Sequence, residues 1–164
     1  MSSETIVTAI FLITAVVAAG ILTSQIFPAI YTMSGSVSSS AQKADTALRT
    51  NIAIINTFAS GDRAQVWVKN VGSSRIHLAD LNMSTMFIGS PGGFEAVSLN
   101  DTLPAPPPGS WSYEILDNTN SYWDPMETLH VTARSDDIPG SKQVVYFQIV
   151  LYDGTRRSEE FTVS

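Results

Sequence analysis

The sequence predicts an α+β chain, with a long N-terminal hydrophobic α-helix followed by an antiparallel, Ig-like β-sandwich head. The first observation is a stretch of 38 residues, Thr5–Gln42, that contains no charged side chain. The second is a change of pattern at Asn51, after which apolar residues alternate with polar ones as they do in half-buried strands. The third is the spacing of turn residues, which separates roughly seven short strands. We therefore assign residues 1–50 to the helix and 51–164 to the head.

The apolar segment Ile6–Tyr31 is long enough to cross a bilayer. As a helix it measures roughly 39 Å at ~1.5 Å per residue, whereas a bilayer core is ~30 Å thick. Its threonine and serine hydroxyls are tolerable because they can bond to carbonyls one turn earlier. Glu4 favours a helix N-terminus, and Pro28 removes one backbone hydrogen bond and is expected to kink the helix.

Charge patterns separate this segment from common targeting signals. A secretory signal peptide has a basic region before a shorter apolar core, yet the first basic residue here is Lys43. The positive flank that orients membrane helices is missing for the same reason. A permanent membrane anchor and a helix buried by copies of itself both remain open, and the small residues Ala15, Ala18, Ala19 and Gly20 would allow close neighbours.

Two interpretations are open for the residues after Tyr31. Ser34–Ser40 has the composition of a flexible linker. However, apolar residues continue at helical spacing through Val37, Ala41, Ala44 and Leu48. We predict one helix that reaches about Thr50 and is weakened near Gly35.

The head contains several strand patterns. Residues alternate over Asn51–Phe58, and Val66 and Val68 share a face opposite Trp67. We predict further strands at Arg75–Phe87, Leu129–Ala133, Val144–Tyr152 and the C-terminal Phe161–Val163. Val144–Tyr152 is apolar on both faces, which suggests a strand covered on both sides, and Asp153-Gly154 is a hairpin turn signal. Gly89–Gly93 and Leu103–Gly109 are expected to be surface loops.

Composition excludes several functions. The formal charge of −6 lies in the head, which holds 13 acidic and 7 basic residues. An acidic head without a basic stripe argues against nucleic-acid binding. The chain has no cysteine, so disulfide and thiolate chemistry are excluded.

The head offers no recognisable catalytic site. His77 and His130 stand alone on strand patterns, and Gly89–Gly93 lacks the residues that give a phosphate loop its mechanism. The acidic pairs Asp136-Asp137 and Asp117…Asp124 could hold Ca²⁺ weakly, although such pairs are more often simply solvated. We therefore predict no enzyme activity and no catalytic, cofactor-binding or metal-binding residues.

Two other residue sets are candidates for surface functions. Asn82-Met-Ser84 and Asn100-Asp-Thr102 fit the N-glycosylation acceptor pattern, which makes Asn82 and Asn100 candidate glycosylation sites. Aromatic residues also occur on strand and loop patterns, where they either pack in the core or mark a protein–protein surface. They are Trp67, Trp111, Tyr113, Tyr122 and Trp123.

Three segments resemble the archaellin superfamily, the subunits of archaeal motility filaments and their relatives. They are the helix opening Ser3-Glu-Thr-Ile-Val-Thr-Ala-Ile that continues to Gly20, its continuation through Phe27-Pro-Ala-Ile-Tyr31 and Gly35-Ser-Val-Ser-Ser39, and the strand end Val66-Trp-Val-Lys-Asn-Val-Gly72. The helix opening and the strand end are the most specific parts. Over the rest of the chain the resemblance is one of architecture.

The resemblance implies a polymer. Helices of this type IV pilin-like kind bundle in a filament core, while the heads form an outer sheath that is frequently glycosylated. The implied partners are further copies of the chain, the membrane before assembly, and the archaellum motor and assembly machinery. The residues expected to pack in the core are Ile6, Ile10, Ile13, Val17, Ala18, Gly20, Ile21 and Phe27.

One departure from the pattern keeps a second interpretation open. Filament subunits of this superfamily carry a short basic leader that a peptidase removes, and this sequence begins at Met1 without one. The opening Ser-Glu-Thr-Ile also resembles archaellum stator proteins, which are anchored at the envelope. A membrane-anchored stator whose head binds the surface layer is therefore the alternative to a filament subunit.

Overall fold

The computed structural model describes residues 3–100, 105–116 and 120–164. The chain divides into two compact units, one ending at Ala44 and the other beginning at Asp45. The first helix, α1, spans Ser3–Arg49 and includes Pro28. It continues through Ser34–Ser40, so the helical prediction for this segment is confirmed and the flexible-linker alternative is wrong.

After α1, the described residues form ten strands and one helical turn. The strands are β1 (Ile52–Ser60), β2 (Arg63–Asn70), β3 (Ile76–His77), β4 (Thr85–Ser90), β5 (Gly93–Leu99), β6 (Ser110–Ile115), β7 (Tyr122–Trp123), β8 (Thr128–Arg134), β9 (Val144–Val150) and β10 (Arg156–Thr162). The helical turn, α2, spans Leu78–Leu81. Gly89–Gly93 contains the turn between β4 and β5.

Eight strands form one sheet that folds back on itself. Their order is β1-β2-β8-β6-β5-β4-β9-β10, and β3 and β7 form a separate ribbon. The pair β5–β6 is parallel, whereas the other described pairs are antiparallel. The edge strands β1 and β10 are joined by a bond from Arg157 Nη2 to Asn51 Oδ1 of 2.6 Å and by one from Ser164 N to Ala59 O of 2.8 Å. The predicted fold class, an α+β chain with a β-sandwich head, is confirmed.

The hydrophobic core is built by the head alone. Among the described residues, the buried hydrophobic side chains lie between Ile52 and Val163. Strand β2 shows how alternation builds this core: Ala64, Val66 and Val68 point inward, while the residues beside them are half exposed. The largest fully buried side chains are Trp111, Trp123 and Phe147. The head is therefore folded around its own core without any contribution from α1.

The predicted long strand Arg75–Phe87 is wrong. It is interrupted by α2, which His77 initiates: its Nδ1 accepts a hydrogen bond of 3.0 Å from Ala79 N. Asn82 N closes the turn on the Leu78 carbonyl at 2.9 Å. A side chain that bonds to its own backbone competes with strand pairing, which the apolar pattern alone does not reveal.

The prediction that Val144–Tyr152 is covered on both faces is also wrong within this chain. In β9, Val145, Phe147 and Ile149 are buried. The opposite side of the strand is half exposed or exposed, and Val144 retains 41% of its accessible surface. The head supplies cover for one face of this apolar strand only.

A histidine on the outer face of the sheet couples stability to pH. The ring of His130 stacks on Trp67 with centroids 4.6 Å apart, and its Nε2 lies 3.3 Å from Gln65 Oε1. Burial lowers the pKa of His130 below its ordinary value of 6.5, against a smaller opposing effect of Glu114. Because the unfolded chain then binds more protons than the folded one, stability falls as pH drops through 6.5 toward the folded pKa.

We therefore expect the urea midpoint of the wild-type chain to decrease between pH 8 and pH 5.5 more than that of a His130→Gln variant. Glutamine keeps a polar side chain at the position but does not titrate. Tryptophan fluorescence in mild detergent reports the transition at each pH. Equal pH slopes for the two proteins would contradict the assignment of this dependence to His130.

Candidate functional site: the uncovered helix

The surface of α1 is uncovered, and from Ile6 to Tyr31 it is apolar. No residue of this fully described helix is buried. Large side chains are exposed from Ile6 to Val37, including Phe11 at 72% and Tyr31 at 75%. A helix that is hydrophobic on all sides belongs in a membrane or in the core of a larger body. We therefore expect α1 to be covered by lipid or by another protein molecule when the chain functions.

The eight residues expected to pack in a filament core are all exposed on α1. Ile6, Ile10, Ile13, Val17 and Ile21 follow one another at spacings of three or four residues, so they share one face. Their exposure, together with that of the other three, leaves the whole set available for contact with other molecules. The remaining three are Ala18, Gly20 and Phe27.

Seven serine and threonine hydroxyls of α1 are bonded inside the helix. Thr8, Thr14 and Thr23 donate their hydroxyls to the carbonyls of Glu4, Ile10 and Ala19 at 2.8 to 2.9 Å. Further serine and threonine hydroxyls between residues 24 and 39 do the same with carbonyls three or four residues earlier. These groups need no partner from the surroundings. The helix is thus chemically compatible with an environment that lacks water.

The last turn of α1 is held by the compact unit that begins at Asp45. The carbonyl of Arg49 accepts hydrogen bonds from Ser73 N at 3.0 Å and Ser74 N at 3.3 Å. Two residues later, the carbonyl of Asn51 accepts from Val71 N and from Gly72 N, both at 2.9 Å. The segment after β2 therefore caps carbonyls that a helix end would otherwise leave unpaired. We call this arrangement, residues 70–74 on residues 49–51, the helix clamp.

Asn70 gives the helix clamp its shape. Its side chain is fully buried, and its Oδ1 accepts from Gly72 N at 3.1 Å. Its Nδ2 donates to Ser74 O at 2.9 Å and to Trp123 O at 3.2 Å. All of the polar side-chain groups of this buried amide are thus used. In sequence this strand end is a point of resemblance to the archaellin superfamily; the role of Asn70 was not predicted, although the Asn-x-Gly spacing could have indicated it.

The ionisable groups near the helix clamp form ordinary ion pairs. Arg75 Nη2 lies 2.8 Å from Asp124 Oδ1, and its guanidinium carbon lies 4.4 Å from the centre of the Tyr122 ring. The hydrogen bond from Asn120 and that from Arg75 hold the pKa of Asp124 below its usual value. Among the residues that the structure describes, no group of three or more metal-ligating side chains exists. Asp117, one member of a candidate Ca²⁺ pair, lies outside the described residues.

The predicted surface residues occupy different environments. Trp111 and Trp123 are core residues, whereas Trp67 stacks on His130. Asn82 is exposed and accepts a hydrogen bond of 2.7 Å from the Tyr113 hydroxyl. Ser84, the hydroxyl residue that completes that sequon, is buried.

The second candidate glycosylation site can be followed only in part. Asn100 is half exposed, and its backbone N donates to Trp111 O at 2.7 Å. Thr102, which completes its sequon, lies outside the described residues. Glycosylation at both asparagines stays a prediction.

Comparisons with known proteins match the whole chain. A family profile described as archaeal-type flagellin matches residues 2–161. An uncharacterised protein of Archaeoglobus fulgidus is 30% identical over 167 residues, with 99% of each chain covered.

Solved structures share the fold. The archaeal flagellum of Methanospirillum hungatei strain JF1 is similar over 97% of this chain and 93% of that chain, with a TM-score of 0.68 and 15% identity. The archaellum periplasmic stator protein FlaG from Sulfolobus acidocaldarius is similar over 68% of this chain and 99% of that chain, with a TM-score of 0.54 and 21% identity. The complex of FlaF and FlaG from the same organism gives a TM-score of 0.55 at 22% identity, over 68% of this chain and 89% of that chain.

The helix clamp predicts an intolerant glycine. A Cβ added at Gly72 would lie 2.6 Å from Asn51 N and still closer to the Arg49 carbonyl oxygen, and neither backbone atom can move away freely. We expect Gly72→Ala to lower the free energy of unfolding by about 1–3 kcal/mol, as overpacking does. Urea unfolding followed by tryptophan fluorescence measures it. Gly140→Ala is the matched control, since nothing lies within 4 Å of its added Cβ, and equal midpoints for the two variants would contradict the clamp.

Proposed function

This chain belongs to the archaeal-type flagellin family, and we propose that it is a structural subunit of the archaeal motility filament, the archaellum. In this proposal it polymerises with copies of itself through α1, and its β-sandwich head lies on the filament surface. The observation that carries the proposal is the uncovered apolar surface of α1. A helix in a polymer core is covered on every side by other copies, which suits a helix that is apolar all round.

The energetics favour a stiff fibre. Full burial of a large apolar side chain contributes roughly 1.5–3 kcal/mol relative to exposure in water. Even a fraction of that, repeated from Ile6 to Phe27, holds each subunit against several neighbours. The small residues Ala18 and Gly20 allow these helices to approach closely. Contacts that do not close into a ring then generate an open helical assembly.

Before assembly, the same helix holds the subunit in the membrane. Ser3–Arg49 is long and apolar enough to span a bilayer. The subunit passes from this membrane-inserted precursor to the extracellular filament with the help of the archaellum motor and assembly machinery. Filament formation needs no catalysis, so we assign the chain no enzymatic activity. We keep Asn82 and Asn100 as candidate glycan attachment sites on the head.

The alternative is a membrane-anchored archaellum stator or accessory protein whose head binds the surface layer. It is favoured by the likeness between 68% of this chain and FlaG, which is described as an archaellum periplasmic stator protein. In that case α1 would remain in the bilayer, and the number of copies would be small. The two functions predict different locations for the same chain.

Location therefore tests the proposal. We expect this chain to be a main band in filaments sheared from the source cells, identified by peptide mass and seen by electron microscopy. The cell envelope that remains after shearing is the control fraction. A chain found in the envelope and missing from the filaments would overturn the proposal in favour of the stator.

A buried charge on α1 should prevent assembly. A charge in an apolar helix costs on the order of 2.5–3.5 kcal/mol when it has no partner, a factor of about a hundred. We expect Ala18→Glu, or Glu at Val17, to abolish filaments on cells in which the variant replaces the native copy. Electron microscopy counts the filaments, and an immunoblot of membranes checks that the variant accumulates. Ser40→Glu, in the polar part of the helix, is the control; normal filaments with Ala18→Glu would refute a buried helix.

A further inference from the structure

One face of the head carries a cluster of aromatic side chains and has no cover within its own compact unit. It is formed by β4, β5, β9 and β10, whose alternate residues point away from the core. Phe94 is 45% exposed, and its ring centre lies 6.0 Å from that of Phe87 and 4.9 Å from that of Tyr146. Contiguous exposed aromatic side chains are typical of protein–protein interfaces. We call this surface the β4–β10 face.

Charge sets the β4–β10 face apart from the rest of an acidic head. Its only formal charges are Arg156 and Glu160, which lie on the edge strand β10. The outer face of β2 and β8, by comparison, carries Arg63, Lys69 and Arg134. A surface of one positive and one negative group does not fit a uniformly charged partner. It fits a partner with the same two groups in the opposite order.

The strand register arranges the β4–β10 face in parallel rows. The central row runs across three strands through Ser158, Gln148 and Phe87. The row on one side runs from Glu160 through Tyr146 to Gly89, and the row on the other side from Arg156 through Val150 to Thr85. The two charges thus stand at equal distances on either side of the central row.

A two-fold axis along the central row makes this arrangement self-complementary. Rotation about that axis leaves each strand facing its own copy in the antiparallel direction. Glu160 then faces Arg156 of a second copy, and Arg156 faces its Glu160, so two ion pairs of correct sign form at the edge. Large residues also meet smaller ones, with Tyr146 opposite Val150 and Gly89 opposite Thr85, as close packing of two surfaces requires.

We propose that the β4–β10 face binds the same face of a second copy of this chain about a two-fold axis. The contact is isologous, because the same patch is used on both copies. It goes beyond polymerisation through α1, since it is built by the head alone. Subunits in one helical lattice are related by a screw operation, so this contact joins subunits of adjacent filaments or free subunits in the membrane.

The size of the face sets the expected strength. Four strands at ~4.8 Å spacing, with side-chain rows roughly 7 Å apart, make a patch of about 20 Å by 20 Å. Two such patches bury about 800 Å² in total, which is the size of weak, transient contacts, so the contact is weak between dispersed molecules. It becomes effective where heads are held close together, because tethering raises the local concentration.

Cross-linking from the central row tests the proposal. The chain has no cysteine, so Ser158→Cys introduces a single thiol on the two-fold axis. Packed sheets lie ~10 Å apart, which a short bismaleimide spans. The assay uses the full chain in detergent at about one molecule per micelle, and Ser60→Cys, at the end of β1, is the control. We expect a cross-linked dimer with Ser158→Cys at several times the control level; a yield no higher than the control would overturn the proposal.

Charge reversal in the Ser158→Cys background distinguishes recognition from collision. Arg156→Glu alone, or Glu160→Arg alone, places like charges opposite each other twice, and should lower the dimer yield about fivefold or more. The double variant Arg156→Glu with Glu160→Arg exchanges the charges and should restore the parent yield. Arg63→Glu, on the other outer face, should leave the yield unchanged. Equal yields for all variants, or a double variant as low as the singles, would contradict the two-fold contact, whereas filament formation in cells tests α1 separately.

Discussion

Every other feature of this chain follows from the need to cover α1 from outside. A helix apolar on all sides, with no residue buried by its own chain, is unfavourable in water. The head cannot draw on α1 for its core, so it closes an eight-stranded sheet around buried residues of its own. The chain thus separates two tasks that most small proteins combine. The head supplies folding stability, and in the proposed function the helix supplies association.

The helix clamp lies where α1 ends and the head begins. Hydrogen bonds from Ser73 and Gly72 hold the carbonyls of Arg49 and Asn51, and the buried Asn70 fixes the segment that donates them. A helix end normally frays because its last carbonyls have no partner. Here the carbonyl of Arg49, the last residue of α1, is paired by the backbone N–H groups of Ser73 and Ser74.

Sequence reasoning was strongest where long-range periodicity decides structure. The run without charges predicts α1, and alternation around Val66 and Val68 predicts β2, because burial on one face leaves a regular trace. It failed at Arg75–Phe87, where the side chain of His77 initiates a helical turn that no hydrophobic pattern encodes. The role of Asn70 was missed for a related reason. A clamp made of backbone groups depends on which distant segments meet, and no single stretch of sequence contains that information.

Strand β9 shows a limit of predictions made from apolar patterns. Its apolar residues on both faces suggested a strand covered on both sides, but such a pattern does not say which molecule would supply the cover. Within this head only the face of Val145 and Phe147 is covered. Where a chain has more apolar surface than it can bury by itself, the surface left exposed indicates contact with another molecule. The same reasoning applies to α1, where the excess is far larger.

The internal bonding of the α1 hydroxyls has a consequence for movement between phases. Because Thr8, Thr14 and Thr23 already donate to carbonyls of their own helix, leaving lipid for a protein interior breaks none of these hydrogen bonds. The exchange replaces one apolar neighbour by another, so its free-energy change is a small difference between two packings. A helix of this kind can pass from lipid to a protein interior because its surface is compatible with both environments. Geometry and mass action then decide in which of the two it is found.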